Sequence, residues 1–131
     1  MGIVEKMRLD GKKGFVTGGA QGIGKCTATA LAEAGADVAV VDLNLEKAQE
    51  TAKEIAEKTG QKTIAIKCDV TKEEDVTNMV DTVVKELGGL DFCHANAGIC
   101  ISGPFLKSTL EMYDEQMDTN MRSMYAICLH A

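Results

Sequence analysis

Residues 17–27 read TGGAQGIGKCT, four glycines set between a short apolar run and the start of a helical pattern. Lacking β-carbons, such a stretch lets the chain turn sharply at the carboxyl end of a strand and bring backbone amides close to whatever sits before the following helix. A turn of this kind commits its neighbours to a strand packed against the helix it feeds. The rest of the chain keeps that rhythm, with short apolar runs alternating with longer helical patterns, the signature of βαβ units around a parallel sheet.

Strands are expected at 13–17, 37–42, 63–69 and 90–95. Val38, Ala39, Val40 and Val41 make a continuous apolar run, as in a strand covered on both faces. The first long helix should bury Ile23, Cys26, Thr27, Ala30, Leu31 and Ala34 and stop at Gly35. A second, over 45–59, should bury Leu45, Ala48, Ala52, Ile55 and Ala56, and Gly60 should end it. Thr71 and Glu74 have capping-box spacing ahead of Val76, Met79, Val80, Val83, Val84 and Leu87, and Ser108 and Glu111 repeat it before a last apolar-rich helical segment. With no linker and no internal repeat, residues 1–131 read as one domain.

The glycine stretch admits two parses. Gly19 to Lys25 fit G-x-x-x-x-G-K, a triphosphate-gripping loop, but Cys26 stands where that loop needs a hydroxyl, and a thiol is a poor ligand for Mg²⁺. Thr17, Gly18, Gly22 and Gly24 fit T-G-x-x-x-G-x-G, whose amides would approach a pyrophosphate at a helix's positive end. Glycine-rich turns also serve packing alone. Asp42 then lies about 20 residues on, at the end of the second strand, where a carboxylate can accept both hydroxyls of an adenosine ribose. It can equally serve the start of the helix after Asn44, and the two roles are compatible.

Composition removes other classes. The net charge of −6, without a lysine- or arginine-rich stripe, argues against nucleic acid and anionic membrane. No run approaches a membrane span and the N-terminus has no apolar leader, so a cytoplasmic protein is expected. The five cysteines, at 26, 68, 93, 100 and 128, form no CxxC pair and lie in apolar runs, which suits reduced thiols used as small hydrophobes rather than metal ligands.

TGGAQGIG, CDV at 68–70, NAG at 96–98 and DTNM around Asn120 occur in an order that resembles the short-chain dehydrogenase/reductase family, and the resemblance covers essentially the whole chain. It implies a Rossmann-type α/β fold, a doubly wound parallel sheet of strand order 3-2-1-4, truncated after about four strands. It further implies that Gly18, Gln21, Gly22, Ile23 and Gly24 line a nicotinamide cofactor's pyrophosphate. Asp69 and Val70 would sit beside adenine, with helix capping the alternative for Asp69, and Asn96, Ala97 and Gly98 would pass the cofactor ribose. Ala95 stands where the family often has a first asparagine, and His94 before it reads as a packed core residue. Asn120 matches a catalytic asparagine that supports a water relay, the alternative being a polar residue kinking a helix.

Asp42 points to NAD rather than NADP, because two unit charges about 4 Å apart repel by about 1 kcal/mol in water and about 4 kcal/mol at an effective dielectric of 20. Neither Ala20 nor Gln21 offers a compensating cation. The family's Tyr-x-x-x-Lys pair and the serine before it have no match: Met117 and Leu129 follow Tyr113 and Tyr125 at that spacing, and Lys107 is the last lysine. The resemblance therefore implies the N-terminal half of an oxidoreductase acting between nicotinamide and an alcohol or ketone. Such a half binds cofactor without turnover and meets substrate only if the missing half is supplied. The alternatives are a non-catalytic nucleotide-binding half-domain and a partner-completed piece, including a homo-oligomer, since the fourth strand should present an open edge.

Overall fold

The computed structural model describes residues 1–131. After a single helical turn, α1 (Ile3–Lys6), the chain runs β1 (Lys13–Thr17), α2 (Gly22–Glu33), β2 (Asp37–Asp42), α3 (Leu45–Thr59), β3 (Thr63–Lys67), α4 (Glu73–Leu87) and β4 (Phe92–His94). A 3₁₀ turn (Phe105–Lys107) leads into α5 (Leu110–Met117), a π-helical turn (Asp118–Arg122) and α6 (Ser123–His130).

All strand pairs are parallel and the sheet order is β3-β2-β1-β4. Side chains alternate across this sheet and so divide the core in two. Phe15, Ala39 and Val41 face α4 through Val76, Met79, Val80 and Val83, joined by Ile127 of α6. Val16, Val38 and Val40 face α2 and α3 through Ala28, Ala32, Ala48, Ala52 and Ile55. Because β1 and β2 lie between two helical layers, their apolar runs are uninterrupted, as doubly wound sheets require.

Two strands are shorter than expected, and both for hydrogen-bonding reasons. Past Lys67 the ladder ends with one more bond, Cys68 N–H to the Asp42 carbonyl, after which the Asp69 N–H turns to the Asp75 carboxylate. Past His94 the amides of Asn96 and Ala97 leave β1's backbone for the Thr17 hydroxyl.

The α2 stripe also differs. Gly24, Ala28 and Ala32 are buried, not the row through Ile23 and Cys26, and Ile23 is 76% exposed. The helix lies so close to the sheet and the glycine turn that only the row of smallest residues fits. In α3, Ala48, Ala52 and Ile55 are buried and Asn44 caps the start by accepting the Lys47 N–H. Leu45 remains partly exposed. Gly60, at φ +75°, closes α3 in the left-handed region that glycine tolerates.

Neither expected capping box forms. Thr71 gives its hydroxyl to the Asp69 carboxylate, leaving Lys72 at the α4 N-cap with no side-chain bond, and Val84 in that helix is largely exposed. Thr109, not Ser108, caps α5, because the Ser108 hydroxyl is taken by the Phe105 carbonyl. Only Cys68 is buried; Cys26, Cys93, Cys100 and Cys128 are free and exposed, so four of the five thiols are not packing groups. His94 is half-buried on the edge strand, and its Nδ1 is buried without a partner. No helix is long and apolar enough to cross a membrane.

Candidate functional site

A cleft of about 590 Å³ opens beyond the carboxyl ends of the four strands. This is where the loops after β1 and β4 diverge to opposite sides of the sheet. Gly18 and Gly22 adopt φ of +63° and +58°, conformations that let the chain double back between β1 and α2. A β-carbon on Gly18 would stand 3.0 Å from the Ala97 Cα, and one on Gly24 would collide with the Gly18 carbonyl and lie 2.7 Å from Asn96 Nδ2. One on Gly22 would meet nothing within 4 Å and project into open space. The first turn of α2 has no side-chain cap, because Gln21 at the N-cap spends its amide oxygen on Lys47 Nζ, 3.1 Å away. Its amides are therefore presented toward the cleft without an internal partner.

Asp42 closes one rim. Its Oδ2 accepts the Ala20 N–H at 3.1 Å and its Oδ1 the Asn44 N–H at 3.0 Å, so the carboxylate ties the glycine loop to the start of α3 and its orientation is set by backbone. Each oxygen keeps lone-pair capacity for a further donor.

Asp69 forms the next wall. Its Oδ1 accepts both the N–H and the hydroxyl of Thr71, at 3.1 and 2.6 Å, and the hydroxyl bond holds the carboxyl below the ordinary carboxylate range. It thus shapes the turn before α4 instead of capping that helix. Beside it the Cys68 thiol is pushed up to about 12, first by burial and then by the charges of Asp75 and Asp69, so it is a neutral packing group.

The fourth side rests on two clamps. Thr17, fully buried, accepts the N–H groups of Asn96 and Ala97 at 3.0 and 3.1 Å. Asn96 Nδ2 returns bonds to the carbonyls of Thr17 and Gly18. Farther on, Asn120 grips the backbone of Ile99 on both sides, accepting its N–H at 2.8 Å and donating to its carbonyl at 2.7 Å. The π-helical turn that carries Asn120 aims it at this loop.

Of the eleven residues expected to hold cofactor, Gly18, Gln21, Gly22, Ile23, Asp42, Asp69, Val70, Asn96, Ala97 and Gly98 line the cleft. Gly24 does not; it lies beneath, where its missing side chain lets α2 approach the Gly18 carbonyl. Asn120 lies behind the wall, while Glu115 and Thr119 reach the cleft from the same helical segment. Val41, Leu43, Thr71 and Ile99 also line the cleft and were not anticipated, while Thr17 supports its wall through the amides of Asn96 and Ala97. Thr17 alone had a signal, its place at the head of the glycine motif.

The class defined by this sheet, switch-point cleft and glycine turn is that of dinucleotide-binding Rossmann domains. A family model described as short chain dehydrogenase matches residues 12–131, and the chain belongs to that family. Tropinone reductase-like 1 of Erythroxylum coca is 42% identical over 111 residues, which is 85% of this chain and 39% of that protein. A short-chain type dehydrogenase/reductase from Mycobacterium marinum superposes with a TM-score of 0.95 at 39% identity, covering 100% of this chain and 53% of its own. A short chain dehydrogenase from Burkholderia cenocepacia J2315, solved in complex with NADP, gives a TM-score of 0.89 at 39% identity and covers 95% of this chain and 51% of its own. The chain thus spans about half the length of the relatives it matches.

Proposed function

We propose that residues 1–131 form the cofactor-holding half of an NAD(H)-linked oxidoreductase that interconverts alcohols and ketones, and that they bind cofactor without themselves completing turnover. Family membership supports a nicotinamide cofactor, and the cleft fits one by its own geometry. The open space before Gly22 and the uncapped amides of α2 suit a pyrophosphate. Asp42 suits ribose hydroxyls, and the apolar sides of Val41, Val70 and Ala97 suit flat rings. When bound, that cofactor supplies a hydride acceptor or donor at its nicotinamide. The chain's own residues bind and orient it: Gly18, Gln21, Gly22 and Ile23 at the phosphates, Asp69 and Val70 at adenine, and Asn96 to Gly98 along the second ribose, with Gly24 as the packing residue beneath. Asn120 acts as a positioning residue for the loop at Ile99. Proton transfer is assigned to no group among these residues, since neither tyrosine has a lysine four positions on. Four exposed free thiols suit a reducing compartment such as the cytoplasm.

The observation that carries the choice of NAD(H) is the Asp42 carboxylate, pinned at the rim by two backbone amides. It can accept a ribose hydroxyl, and it opposes a 2′-phosphate. Because a 39%-identical neighbour holds NADP, general likeness does not select the cofactor, and the reading of NAD(H) rests on the residue at 42. Calorimetric titration with NADH and NADPH tests this. Tighter NADH binding, lost by about tenfold or more in Asp42→Ala together with a narrowed gap, is expected from removing charge-assisted hydrogen bonds. Equal affinities in the unmodified chain would contradict it.

A further inference from the structure

We propose that Cys93 and Cys128 form a dithiol site for thiol–disulfide exchange, in which a low-molecular-weight disulfide of the glutathione class closes the pair and ties α6 to the open edge of the sheet. The inference is independent of the cofactor reading. Cys93 lies in β4, the strand that pairs with β1 alone, and stands opposite Phe15 in that pairing. Paired residues of neighbouring strands point to the same side of a sheet. Cys93 therefore shares the face on which Phe15 packs with Ile127 of α6. Cys128 follows Ile127 directly, and three residues on stands Ala131, which lines a cleft of about 210 Å³ together with Leu90, Asp91, Phe92 and Cys93. Residues three apart on a helix lie on one side of it, so the end of α6 brings Cys128 to the wall that holds Cys93.

Both thiols are free and exposed. Burial first and the Cys128 thiol next push Cys93 up, so each sulfur lies within electrostatic reach of the other. No other thiol shares that place: Cys68 is buried beyond β3, Cys26 lies on α2 across the sheet, and Cys100 lies in the loop after β4. The thiolate is the attacking species, so the raised Cys93 is poorly suited to open the sequence and Cys128 begins it. The Cys128 thiolate attacks one sulfur of the external disulfide, forming a mixed disulfide and releasing one thiol. The Cys93 thiolate then attacks the Cys128 sulfur, forming the Cys93–Cys128 bond and releasing the second thiol. The two protein thiols are oxidised by two electrons, and the external disulfide takes up those electrons and both protons. Because β4 runs on into Asn96 to Gly98 and α6 follows the turn in which Asn120 holds Ile99, the bond links the two elements that carry the fourth side of the main cleft.

Equilibrating the intact chain in glutathione buffers of graded redox ratio, folded and in denaturing urea, and mapping its unreduced peptides by mass spectrometry tests this. The folded chain should yield a Cys93–Cys128 link that dithiothreitol reverses. It should do so in a buffer at least about tenfold more reducing than the unfolded chain requires, because the fold holds the two sulfurs together. Cys100→Ser, which removes the thiol nearest to Cys93 in sequence, should keep the link. Cys93→Ser should lose it and leave Cys128 as a stable mixed disulfide with glutathione. Thermal melts on each variant confirm that it is folded. The proposal is overturned if the folded chain carries separate glutathione adducts at 93 and 128 in place of the link, or no modification at either. It is equally overturned if the link joins two chains, if Cys100→Ser abolishes it, or if the unfolded chain closes it in the same buffer.

Discussion

Thr17 shows how much of the site depends on one hydroxyl. Fully buried at the end of β1, it satisfies two amides of the segment after β4, and nothing else in that segment's surroundings accepts them. Thr17→Val keeps the shape and removes the acceptor, leaving two part-buried N–H groups without a partner. Chemical denaturation should show a loss of about 2 kcal/mol or more, since each orphaned group costs about 1–3 kcal/mol, while Thr17→Ser should stay within about 1 kcal/mol. The two inner glycines separate in the same way. Gly24→Ala forces a methyl into the Gly18 carbonyl and should destabilise by about 1–3 kcal/mol, as overpacking does. Gly22→Ala meets no atom and should lose only about 1–2 kcal/mol for its positive φ, yet it should weaken NADH sharply because the methyl enters the space assigned to the phosphates. An unchanged NADH affinity in Gly22→Ala would contradict this division.

At the scale of elements, the strands and helices of the first half were legible because an apolar run of four in β2 and glycine stops at 35 and 60 leave few alternatives. What the sequence did not disclose was competition among polar groups for the same partners. Thr71 and Ser108 had the right spacing for caps, but a carboxylate and a carbonyl stood nearer, and such contests are decided in three dimensions. The buried face of α2 was hidden for a related reason. Two rows of small and apolar residues run along that helix, and the distance to the sheet chose between them. Nor does DTNMR announce a π turn, although Asn120 within it was recognisable from its motif. The Asp69–Thr71 turn carries a pH signature. With its folded carboxyl held below the unfolded value of about 3.9, its stabilisation is present above about pH 4 and disappears as pH falls through the lower folded value. Asp69→Asn should flatten the acid limb of a pH-dependent melt; an unchanged limb would show that the turn contributes nothing.

Across the whole molecule, stability is unevenly spread. β1 and β2 lie between helical layers and pair on both sides, whereas β4 has three residues and pairs with β1 alone. Near it, Met121, Met124, Tyr125 and Leu129 leave apolar surface exposed on the last helical segment. Amides of Phe92 to His94 should therefore exchange with deuterium faster than those of Val38 to Val41. Uniform protection across the sheet would mean that its open edge is held by something other than β1. The cleft lies across this gradient, with its Gly18–Asp42 side on the firm strands and its Asn96–Ile99 side on the weaker one.

The central claim is that the cleft between the glycine turn and Asp42 seats the adenosine diphosphate end of NAD(H). Amide NMR spectra of the folded chain titrated with NADH test it most directly. Saturable shifts should concentrate at Gly18 to Ile23, Asp42 to Leu43, Asp69 to Thr71 and Asn96 to Gly98, leaving α3 beyond its first turn unmoved. An absence of shifts at millimolar NADH, or shifts centred outside these segments, would contradict the account.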